Sequence, residues 1–417
     1  MPPWLSRWHS HPSSLPIWAN PCASVPALGH LCDCVGTMAG SLGGLHCLLT
    51  GASGFLGHRI LQLLMEEEGD LAEIRIMDKE FSADLLGTCD RFQGKTMLNL
   101  LQGDIRDQEF LSQSCRGMEL VIHTAAIIDT VGRISRDVLV AINVTGTERL
   151  LEACVQNNVR YFVYTSSVEV VGPNMRGDPV VDGDEELQYD SKLSFTYGQT
   201  KKLAEKRVLG ANGRALRDGG TLMTCSLRSM YIYGEASQFL LLHLDEAITN
   251  GGVFHRLSRK EALVNPAYVG NVAWAHVQAS RALRDPDRAK KVAGNFYFIS
   301  DDTPHLSYSD LNHALGKDLG LGVEPKLALP FPLLYFVALL LETMSFLLKP
   351  LVKVVPPFTR HLLRLLNTPF TFSYRKAQRD MGYKPRYSWE QSKRLTGGWM
   401  ESVLPLRKEL LKKNHKL

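Results

Sequence analysis

A tyrosine and a lysine four residues apart, Tyr197 and Lys201, are the residues whose types and spacing most directly suggest chemistry. Residues four apart project from one face of a helix, so the phenol and the ammonium group can act together. A free tyrosine has a pKa of about 10, and a nearby cation favours its phenolate form, which can take the proton of an alcohol. A Tyr-x-x-x-Lys pair by itself is usually a surface pair, so the rest of the sequence must supply its context.

A pair of serines ends an apolar run 30 residues before this tyrosine. We predict that Ser167 holds the substrate oxygen while Tyr197 removes its proton, and that Lys201 also binds the ribose of a cofactor. Ser166 is the alternative to Ser167, because successive side chains of a strand point to opposite faces. Ligands of open α/β sheets bind at the carboxyl ends of the strands, where this pair is expected.

Three glycines, Gly51, Gly54 and Gly57, follow a short apolar run and open a helical pattern. In that context the N–H groups at the helix start bind the pyrophosphate of a dinucleotide, and the helix dipole favours its negative charge. The predicted cofactor contacts of this turn are Gly51, Ser53, Gly54, Phe55, Leu56 and Gly57. The bound dinucleotide would accept hydride from the alcohol that Tyr197 deprotonates.

Two aspartates, Asp78 and Asp104, follow the second and third predicted strands. Asp78 lies 21 residues after Gly57, where a carboxylate accepts hydrogen bonds from the ribose hydroxyls and repels a 2′-phosphate. It therefore predicts NAD rather than NADP, although Lys79 opposes this preference and a plain turn residue is the alternative interpretation of Asp78. Asp104 is placed to meet the adenine.

Strands and helices alternate through the first part of the chain, as the hydrophobic spacing indicates. The predicted strands are 45–50, 74–78, 97–101, 120–124, 161–167, 222–227 and 295–300, and the predicted helices include 143–155, 197–209 and 269–283. This alternation predicts an α/β fold, a Rossmann-type doubly wound parallel sheet with a smaller C-terminal substrate-binding region. Residues 231–259 are expected to be rich in turns.

The chain divides into segments of different character. Residues 1–37 are rich in Pro, Ser, Trp and His without the apolar core of a signal peptide, and Met38 is our expected start of the native chain. The expected segments are a disordered extension at 1–37, an NAD-binding core with the catalytic residues at 38–230, a substrate-binding region interleaved with that core at 231–328, a membrane-associating segment at 329–356, and a C-terminal region at 357–417. The basic tail, 407–417, is expected to be solvated.

An apolar stretch at 331–348 is broken mainly by Glu342. A membrane-spanning helix needs about 20 apolar residues, and this stretch is shorter, carries a charge and has prolines at its start. We favour a monotopic or hairpin-like membrane anchor. A single-pass span and a buried core helix are the alternatives.

The remaining composition excludes some classes of function. The net charge of +4 over 417 residues shows no clustered basic face, so no nucleic-acid partner is expected. The eight cysteines are scattered without a Cys-x-x-Cys pair, which favours free thiols in a reducing compartment. We predict no metal site.

Beyond the catalytic pattern, the sequence closely resembles the vertebrate 3β-hydroxysteroid dehydrogenase/delta-5-delta-4 isomerase family of extended short-chain dehydrogenases. The matching stretches are 49–59 (LTGASGFLGHR), 122–129 (IHTAAIID), 151–156 (LEACVQ), 164–174 (YTSSVEVVGPN), 201–206 (KKLAEK), 265–276 (NPAYVGNVAWAH), 297–308 (YFISDDTPHLSY) and 372–380 (FSYRKAQRD). They extend from about residue 45 to 400. The chain departs from the family at 198–200, where Gly-Gln-Thr replaces Pro-His-Ser, and at Ser229, where the family has proline.

The resemblance implies an NAD-dependent oxidation of a 3β-hydroxy-delta-5-steroid, followed by movement of the double bond into conjugation with the new ketone. The isomerisation requires a base at carbon 4 and an acid at carbon 6. The groups that the family is thought to use match Tyr297, Asp301 and Asp302, and a turn with a helix cap is the alternative role of the two aspartates. The resemblance also implies a homodimer that contacts membrane lipid in the endoplasmic reticulum and mitochondria, with the catalytic part facing a reducing compartment.

Three other functions remain open at this point. A related dehydrogenase acting on a bile-acid precursor or a 4-carboxy sterol shares the same catalytic residues. A sugar-nucleotide epimerase is more remote, since it needs no apolar anchor. A non-catalytic NAD(H)-binding scaffold has the same fold but no need for Ser167, Tyr197 and Lys201.

Overall fold

A computed structural model describes residues 41–189, 193, 195–348 and 356–414, so the predicted extension at 1–37 lies outside the described residues. The described strands are β1 His46–Thr50, β2 Glu73–Asp78, β3 Met97–Gln102, β4 Leu120–His123, β5 Tyr161–Ser167, β6 Val180–Gly183, β7 Met223–Ser229, β8 Ile232–Tyr233, β9 Val253–Phe254, β10 Ala267–Tyr268, β11 Phe296–Ile299, β12 Gly322–Val323 and β13 Phe370–Phe372. Seven of them form one parallel sheet in the order β11-β7-β5-β4-β1-β2-β3. The other six form three short parallel pairs.

The helices connect and cover these strands. They are α1 Phe55–Glu67, α2 Ala83–Arg91, α3 Gln108–Cys115, α4 Arg136–Val140, α5 Thr147–Gln156, α6 Thr196–Gly210, α7 Gln238–Thr249, α8 Val269–Arg284, α9 Pro286–Val292, α10 Tyr308–Gly316, α11 Phe331–Leu348, α12 Arg360–Asn367, α13 Arg375–Met381 and α14 Trp389–Asn414. A π-helical stretch, Ala141–Gly146, joins α4 to α5.

The sheet is buried on both faces, which explains why its central strands are continuously apolar. Leu49 of β1 packs with the α1 and α8 side of the core, whereas Leu48 packs with the side formed by α3, α5 and α6. The strand order reverses between β1 and β4, and such a switch point opens a crevice at the carboxyl ends of the strands. The predicted Rossmann-type doubly wound parallel sheet is therefore confirmed.

The turn-rich prediction for residues 231–259 is wrong in its centre, where the structure has the 12-residue helix α7. Leu240, Leu244 and Ala247 are the buried side chains that hold it against the core at helical spacing. Glycines at 251 and 252 follow the helix and made the segment look irregular.

Helix α14 continues through the predicted solvated tail to Asn414, and most residues from 408 to 413 are exposed, as predicted. Its residue Arg407 forms a two-pronged ion pair with Asp245 of α7, and both side chains are largely buried. Helix α14 therefore belongs to the folded body rather than to a loose extension.

The predicted apolar segment forms α11, whose bounds match the prediction. Only 6% of this helix is buried, so the alternative of a buried core helix is excluded. Within the described ranges, α11 is the one helix whose length and composition would allow it to cross a membrane. It packs against α12 through one small apolar cluster, formed by Leu334, Ala338, Phe358 and Leu363. Residues 349–355 of the predicted membrane segment lie outside the description.

Candidate active site

The glycine turn between β1 and α1 allows an unusually close approach of backbone to backbone. Gly51 has φ +77, and a Cβ there would lie 2.7 Å from the backbone nitrogen of Ala125. A Cβ on Gly57 would lie 2.1 Å from the Gly51 carbonyl oxygen. Helix α1 begins directly after Gly54, so its first N–H groups point into the space beside this turn. The turn therefore fits a pyrophosphate.

Asp78 lies at the end of β2 and contacts the same turn. Its Oδ2 accepts the backbone N–H of Ser53 at 2.9 Å, and its Oδ1 accepts the N–H of Lys79 at 2.7 Å. Burial raises the pKa of the Asp78 carboxyl, and the hydrogen bond from Ser53 opposes that shift. Each carboxylate oxygen has a further lone pair for the ribose hydroxyls of a dinucleotide. Gly51, Gly57 and Asp78 thus fit the adenosine half of the predicted cofactor.

Asp104 follows β3 at the edge of the sheet. Its carboxylate pairs with the guanidinium of Arg106 at 2.6 Å. Hydrogen bonds from Arg106 hold the pKa of Asp104 at about 2. The contact of Asp104 with adenine stays a prediction, because the carboxylate is already engaged by its neighbour.

The structure brings the predicted serine and tyrosine together. Ser167 ends β5, and its hydroxyl makes a hydrogen bond to the phenol of Tyr197 in the first turn of α6. Ser167 also accepts the backbone N–H of Glu169 at 3.2 Å, which fixes its side chain. The alternative residue, Ser166, is buried, and its hydroxyl has no hydrogen-bond partner among the described residues.

Lys201 lies one turn after the tyrosine on α6, as predicted, and is almost completely buried. Its Nζ donates to the carbonyl oxygen of Thr165 and lies 4.3 Å above the ring of Tyr164. Burial lowers the pKa of Lys201 to about 7. The amine is therefore close to losing its proton near neutral pH, unlike an ordinary lysine.

A buried histidine orients the threonine whose carbonyl oxygen holds this lysine. His276 Nδ1 donates to the Val272 carbonyl at 2.8 Å, so its Nε2 accepts the Thr165 hydroxyl at 2.8 Å. Thr165 thereby has its side chain fixed by α8 while its carbonyl holds Lys201. Burial lowers the pKa of His276 to about 4, which keeps the imidazole neutral. Sequence reasoning missed Thr165 and His276, because α8 and β5 are far apart along the chain.

The pKa of Tyr197 differs from the sequence prediction. Burial raises it, and the negative charge of Glu169 raises it further, while the hydrogen bond with Ser167 lowers it. Lys201 can therefore favour the phenolate of Tyr197 only together with a further positive charge, which the bound cofactor supplies. Glu169 was not predicted, although it lies only two residues after Ser167.

Residues 48–332 match the sequence profile of the 3-beta hydroxysteroid dehydrogenase/isomerase family. The chain belongs to that family. Its fold also recurs in solved structures at lower identity. The structure of MoeE5 in complex with UDP-glucuronic acid and NAD has a TM-score of 0.61 at 20% identity, over 86% of this chain and 100% of that one. These and the following likenesses concern the fold alone.

Two sugar-nucleotide enzymes share the fold to the same degree. The Thermus thermophilus UDP-glucose 4-epimerase complex with NAD has a TM-score of 0.59 at 19% identity, covering 86% of this chain and 99% of that one. The DesIV double mutant (dTDP-glucose 4,6-dehydratase) from Streptomyces venezuelae, with NAD and DAU bound, has a TM-score of 0.61 at 19% identity. The match covers 85% of this chain and 96% of that one.

One departure from the family has a structural counterpart at the catalytic helix. Gly198 replaces the proline that the family has after the catalytic tyrosine. A Cβ at this position would lie 2.7 Å from the carbonyl oxygen of Glu169. The glycine therefore lets α6 approach the turn after β5 closely.

The residues that match the family's isomerase groups lie in β11 and directly after it. Tyr297 is buried in β11, and its hydroxyl contacts the Lys291 carbonyl at 3.2 Å and Asp380 Oδ2 at 3.3 Å. Asp302 accepts the hydroxyl of Tyr374 at 2.8 Å near the surface. None of these contacts is with Ser167, Tyr197 or Lys201, so the role of Tyr297, Asp301 and Asp302 in the isomerisation stays a prediction.

Asp301 has the contacts of a turn and helix-cap residue. Its Oδ2 accepts the backbone N–H of Tyr268, which precedes α8, and the side chain of Asn271, both at 2.8 Å. Its Oδ1 accepts the N–H of Thr303 at 2.9 Å. Burial raises the pKa of this carboxyl, and the three hydrogen bonds oppose the shift. The alternative role of this aspartate, a turn and cap, is the one that these contacts describe.

Three aromatic side chains, Tyr231, Tyr308 and Phe239, form an aromatic wall at the starts of α7 and α10. The charge of Glu169 raises the pKa of Tyr308 as well as that of Tyr197. The rings of Tyr231 and Tyr308 meet edge to face at 5.1 Å, and Phe239 lies 6.3 Å from Tyr231.

Proposed function

We propose that this chain oxidises the 3β-hydroxyl of delta-5 steroids with NAD and then moves the ring double bond into conjugation. When bound, NAD supplies the acceptor for the hydride of carbon 3. The observation that carries the proposal is the Ser167–Tyr197 hydrogen bond beside a glycine turn in a member of this family. The same contacts serve any secondary alcohol, so the proposed substrate class rests on the family and on the aromatic wall.

Each catalytic residue has one role at the alcohol. Ser167 donates a hydrogen bond to the substrate oxygen, and Tyr197 takes its proton. Lys201 holds the cofactor ribose, and its charge joins that of the cofactor in lowering the pKa of Tyr197, which burial otherwise raises. General base catalysis of this kind contributes about 10²–10⁴-fold to a rate.

The aromatic wall favours a rigid apolar substrate. We propose that Tyr231, Tyr308 and Phe239 line the substrate space with aromatic rings rather than charged side chains. A sugar nucleotide would require cationic or hydrogen-bonding groups for its diphosphate. A fused hydrocarbon ring system instead gains free energy from apolar area removed from water.

We further propose that α11 attaches the chain to the membrane of the endoplasmic reticulum and of mitochondria, with the catalytic part in a reducing compartment and the chain as a homodimer. Large apolar side chains on α11 face away from the protein, with Phe346 75% exposed and Leu347 68% exposed. Glu342 pairs with Arg360 of α12 at 2.7 Å, so the one acidic group of α11 is held on its protein side. A monotopic attachment follows from this division into two faces.

The test is turnover of the full chain with NAD and pregnenolone, comparing Tyr197→Phe with Tyr161→Phe as a control of the same chemistry at the start of β5. The Tyr197→Phe variant is expected to bind NAD normally and to form NADH at least about 100-fold more slowly. Undiminished NADH formation would remove Tyr197 from its role. NAD binding without NADH formation by the wild-type chain would support the scaffold alternative.

A matched set of substrates separates the related dehydrogenases. NADH formation with bile-acid precursors or 4-carboxy sterols, but not with pregnenolone or dehydroepiandrosterone, would replace the proposed substrate class while leaving the catalytic residues in place.

A further inference from the structure

Large apolar side chains are exposed at the start of α7 as well as on α11. Phe239 and Leu242 are 38% and 48% exposed, and they lie three residues apart, so their side chains share one face of the helix. Leu410 of α14 is as exposed as Phe239. Single apolar side chains on a surface are ordinary, whereas a group of them indicates a binding partner. The relation between α7 and α14 therefore decides whether these three residues form a group.

The start of α14 lies near the end of α7. Lys393, in the second turn of α14, pairs with Asp318 at 2.8 Å, just after α10 ends. Strand β9, which follows α7, reaches the same place, since a Cβ on Gly316 at the end of α10 would lie 2.9 Å from the ring of Phe254. The start of α14 and the segment after α7 thus meet at one end of α10.

Farther along, α14 meets the middle of α7. Arg407 pairs with Asp245, so the two helices run antiparallel and the turns after Arg407 extend toward the start of α7. Leu410 lies about 4.5 Å along the helix beyond Arg407, and Leu242 lies the same distance from Asp245 in the same direction. Phe239, Leu242 and Leu410 therefore form one group, which we call the second apolar patch.

Basic side chains accompany this patch on the last turns of α14. Lys408, Lys412 and Lys413 are exposed, and among the described residues none of the three has an ion-pair partner. Glu409 is the acidic side chain among them. Lysines beside an apolar surface extend their stems along it and keep the ammonium group in water. Exposed apolar side chains with lysines beside them fit a membrane surface that carries negative charge.

A series of contacts connects the second apolar patch with the start of α11. The aromatic wall joins the start of α7 to the start of α10. Asp310 of α10 pairs with Arg256 at 2.6 Å. Three residues later, the guanidinium of Arg259 lies 4.8 Å from the ring centre of Phe331, the first residue of α11. The patch and the start of α11 therefore border the same part of the molecule.

We propose that the second apolar patch and its lysines bind the surface of a bilayer that contains anionic phospholipids, an inference that rests on the proposed membrane attachment. Leu242 and Leu410 enter the interface, and the ammonium groups of Lys408, Lys412 and Lys413 meet the anionic groups of the lipids. Each lysine near such a surface strengthens binding about fivefold. Salt screens this attraction, whereas it does not screen the apolar contact of α11. The two surfaces thus differ in the lipid that they require.

Flotation of the full chain with two kinds of vesicle separates the two surfaces. One vesicle is phosphatidylcholine alone, the other is phosphatidylcholine with added phosphatidylserine, and each is used at low and at high salt. The lysine variant combines Lys408→Gln, Lys412→Gln and Lys413→Gln, and the leucine variant combines Leu242→Ser and Leu410→Ser. The control variant makes the same change of charge at exposed lysines of α9 and of the loop before α14, as Lys290→Gln, Lys291→Gln and Lys384→Gln.

We expect the wild-type chain to bind the anionic vesicles at least about 10-fold more tightly than the neutral ones at low salt, and high salt to remove this difference. The lysine variant should lose the difference, the leucine variant should bind both vesicles more weakly, and the control should stay within about threefold of wild type. Thermal unfolding and NAD affinity identify a variant that fails to fold, for which Lys412→Gln with Lys413→Gln is substituted. Equal affinity of the wild-type chain for both vesicles, or equal losses in the lysine variant and the control, would overturn the inference.

Failure of the attachment through α11 gives a different result. If Phe346→Ser with Leu347→Ser leaves binding to neutral vesicles intact while the lysine variant loses the anionic preference, the attachment through α11 is rejected and the second apolar patch stands. A wild-type chain that floats with neither vesicle would reject both. A leucine variant that floats like wild type but changes its oligomeric state in light scattering would assign the patch to a contact between copies of the chain and overturn the inference.

Discussion

Substitution of Gly57 by alanine tests the cofactor turn at its tightest point. The added Cβ would lie 2.1 Å from the carbonyl oxygen of Gly51 and 2.9 Å from the Cα of Ala52, and both neighbours are backbone atoms that cannot rotate away. Restoring an ordinary contact of about 3.5 Å requires α1 to retreat by about 1.4 Å. Overpacking of this kind costs about 1–3 kcal/mol of folding free energy.

The retreat also moves the N–H groups that meet the pyrophosphate. Loss of one hydrogen bond to a charged group is worth about 1.5–3 kcal/mol, which corresponds to about a 10- to 100-fold weaker affinity for NAD. Isothermal titration with NAD measures the affinity, and urea unfolding measures the stability. Gly210→Ala is the control, because a Cβ there meets nothing within 4 Å at the exposed end of α6. Wild-type affinity and stability in Gly57→Ala would refute this account of the turn.

Three further variants test other parts of the structure. Lys201→Met should abolish a rise in the free energy of unfolding with pH. The unfolded chain keeps this proton up to about pH 10.5, whereas the folded chain releases it near pH 7. Between these values the free energy of unfolding of the wild-type chain therefore gains up to about 1.4 kcal/mol per pH unit, which urea unfolding across that window measures. Equal slopes in the two proteins would argue against the lowered pKa. Arg407→Leu leaves Asp245 buried and unpaired, so it should lower the free energy of unfolding by about 3–5 kcal/mol, measured as a fall in unfolding temperature. Adding Asp245→Leu to the same chain should reverse part of that fall. An unchanged unfolding temperature would mean that α14 is not docked. Phe346→Ser with Leu347→Ser should weaken flotation with phospholipid vesicles and leave NAD affinity unchanged, whereas undiminished flotation would exclude the exposed face of α11 as the attachment.

The parts of the fold and site that are local in sequence could be predicted from it. The strand, glycine turn and helix at 45–67 are contiguous, so hydrophobic spacing and backbone chemistry suffice to locate them. Ser167 and Tyr197 also follow local patterns, and the order of alternating elements brings their strand and helix together. The apolar run that forms α11 was recognised with its bounds because nearly every residue in it is apolar.

What could not be predicted depends on contacts between distant segments. His276 lies in α8, 111 residues after Thr165 in the chain, and no local pattern marks it as part of the site. The pKa of Tyr197 depends on burial and on the charge of Glu169, and both are set by tertiary packing rather than by the Tyr-x-x-x-Lys spacing. The basic composition of the tail hid the ion pair of Arg407 with Asp245, because composition does not say which charges are paired.

The most direct test of the proposed function is the stoichiometry of products from the full chain in detergent with NAD and pregnenolone. Oxidation and isomerisation on one chain predict that NADH and the conjugated enone accumulate in equal amounts. NADH without enone would leave only the dehydrogenase. Neither product, from a chain that is folded and binds NAD, would contradict the account at its centre.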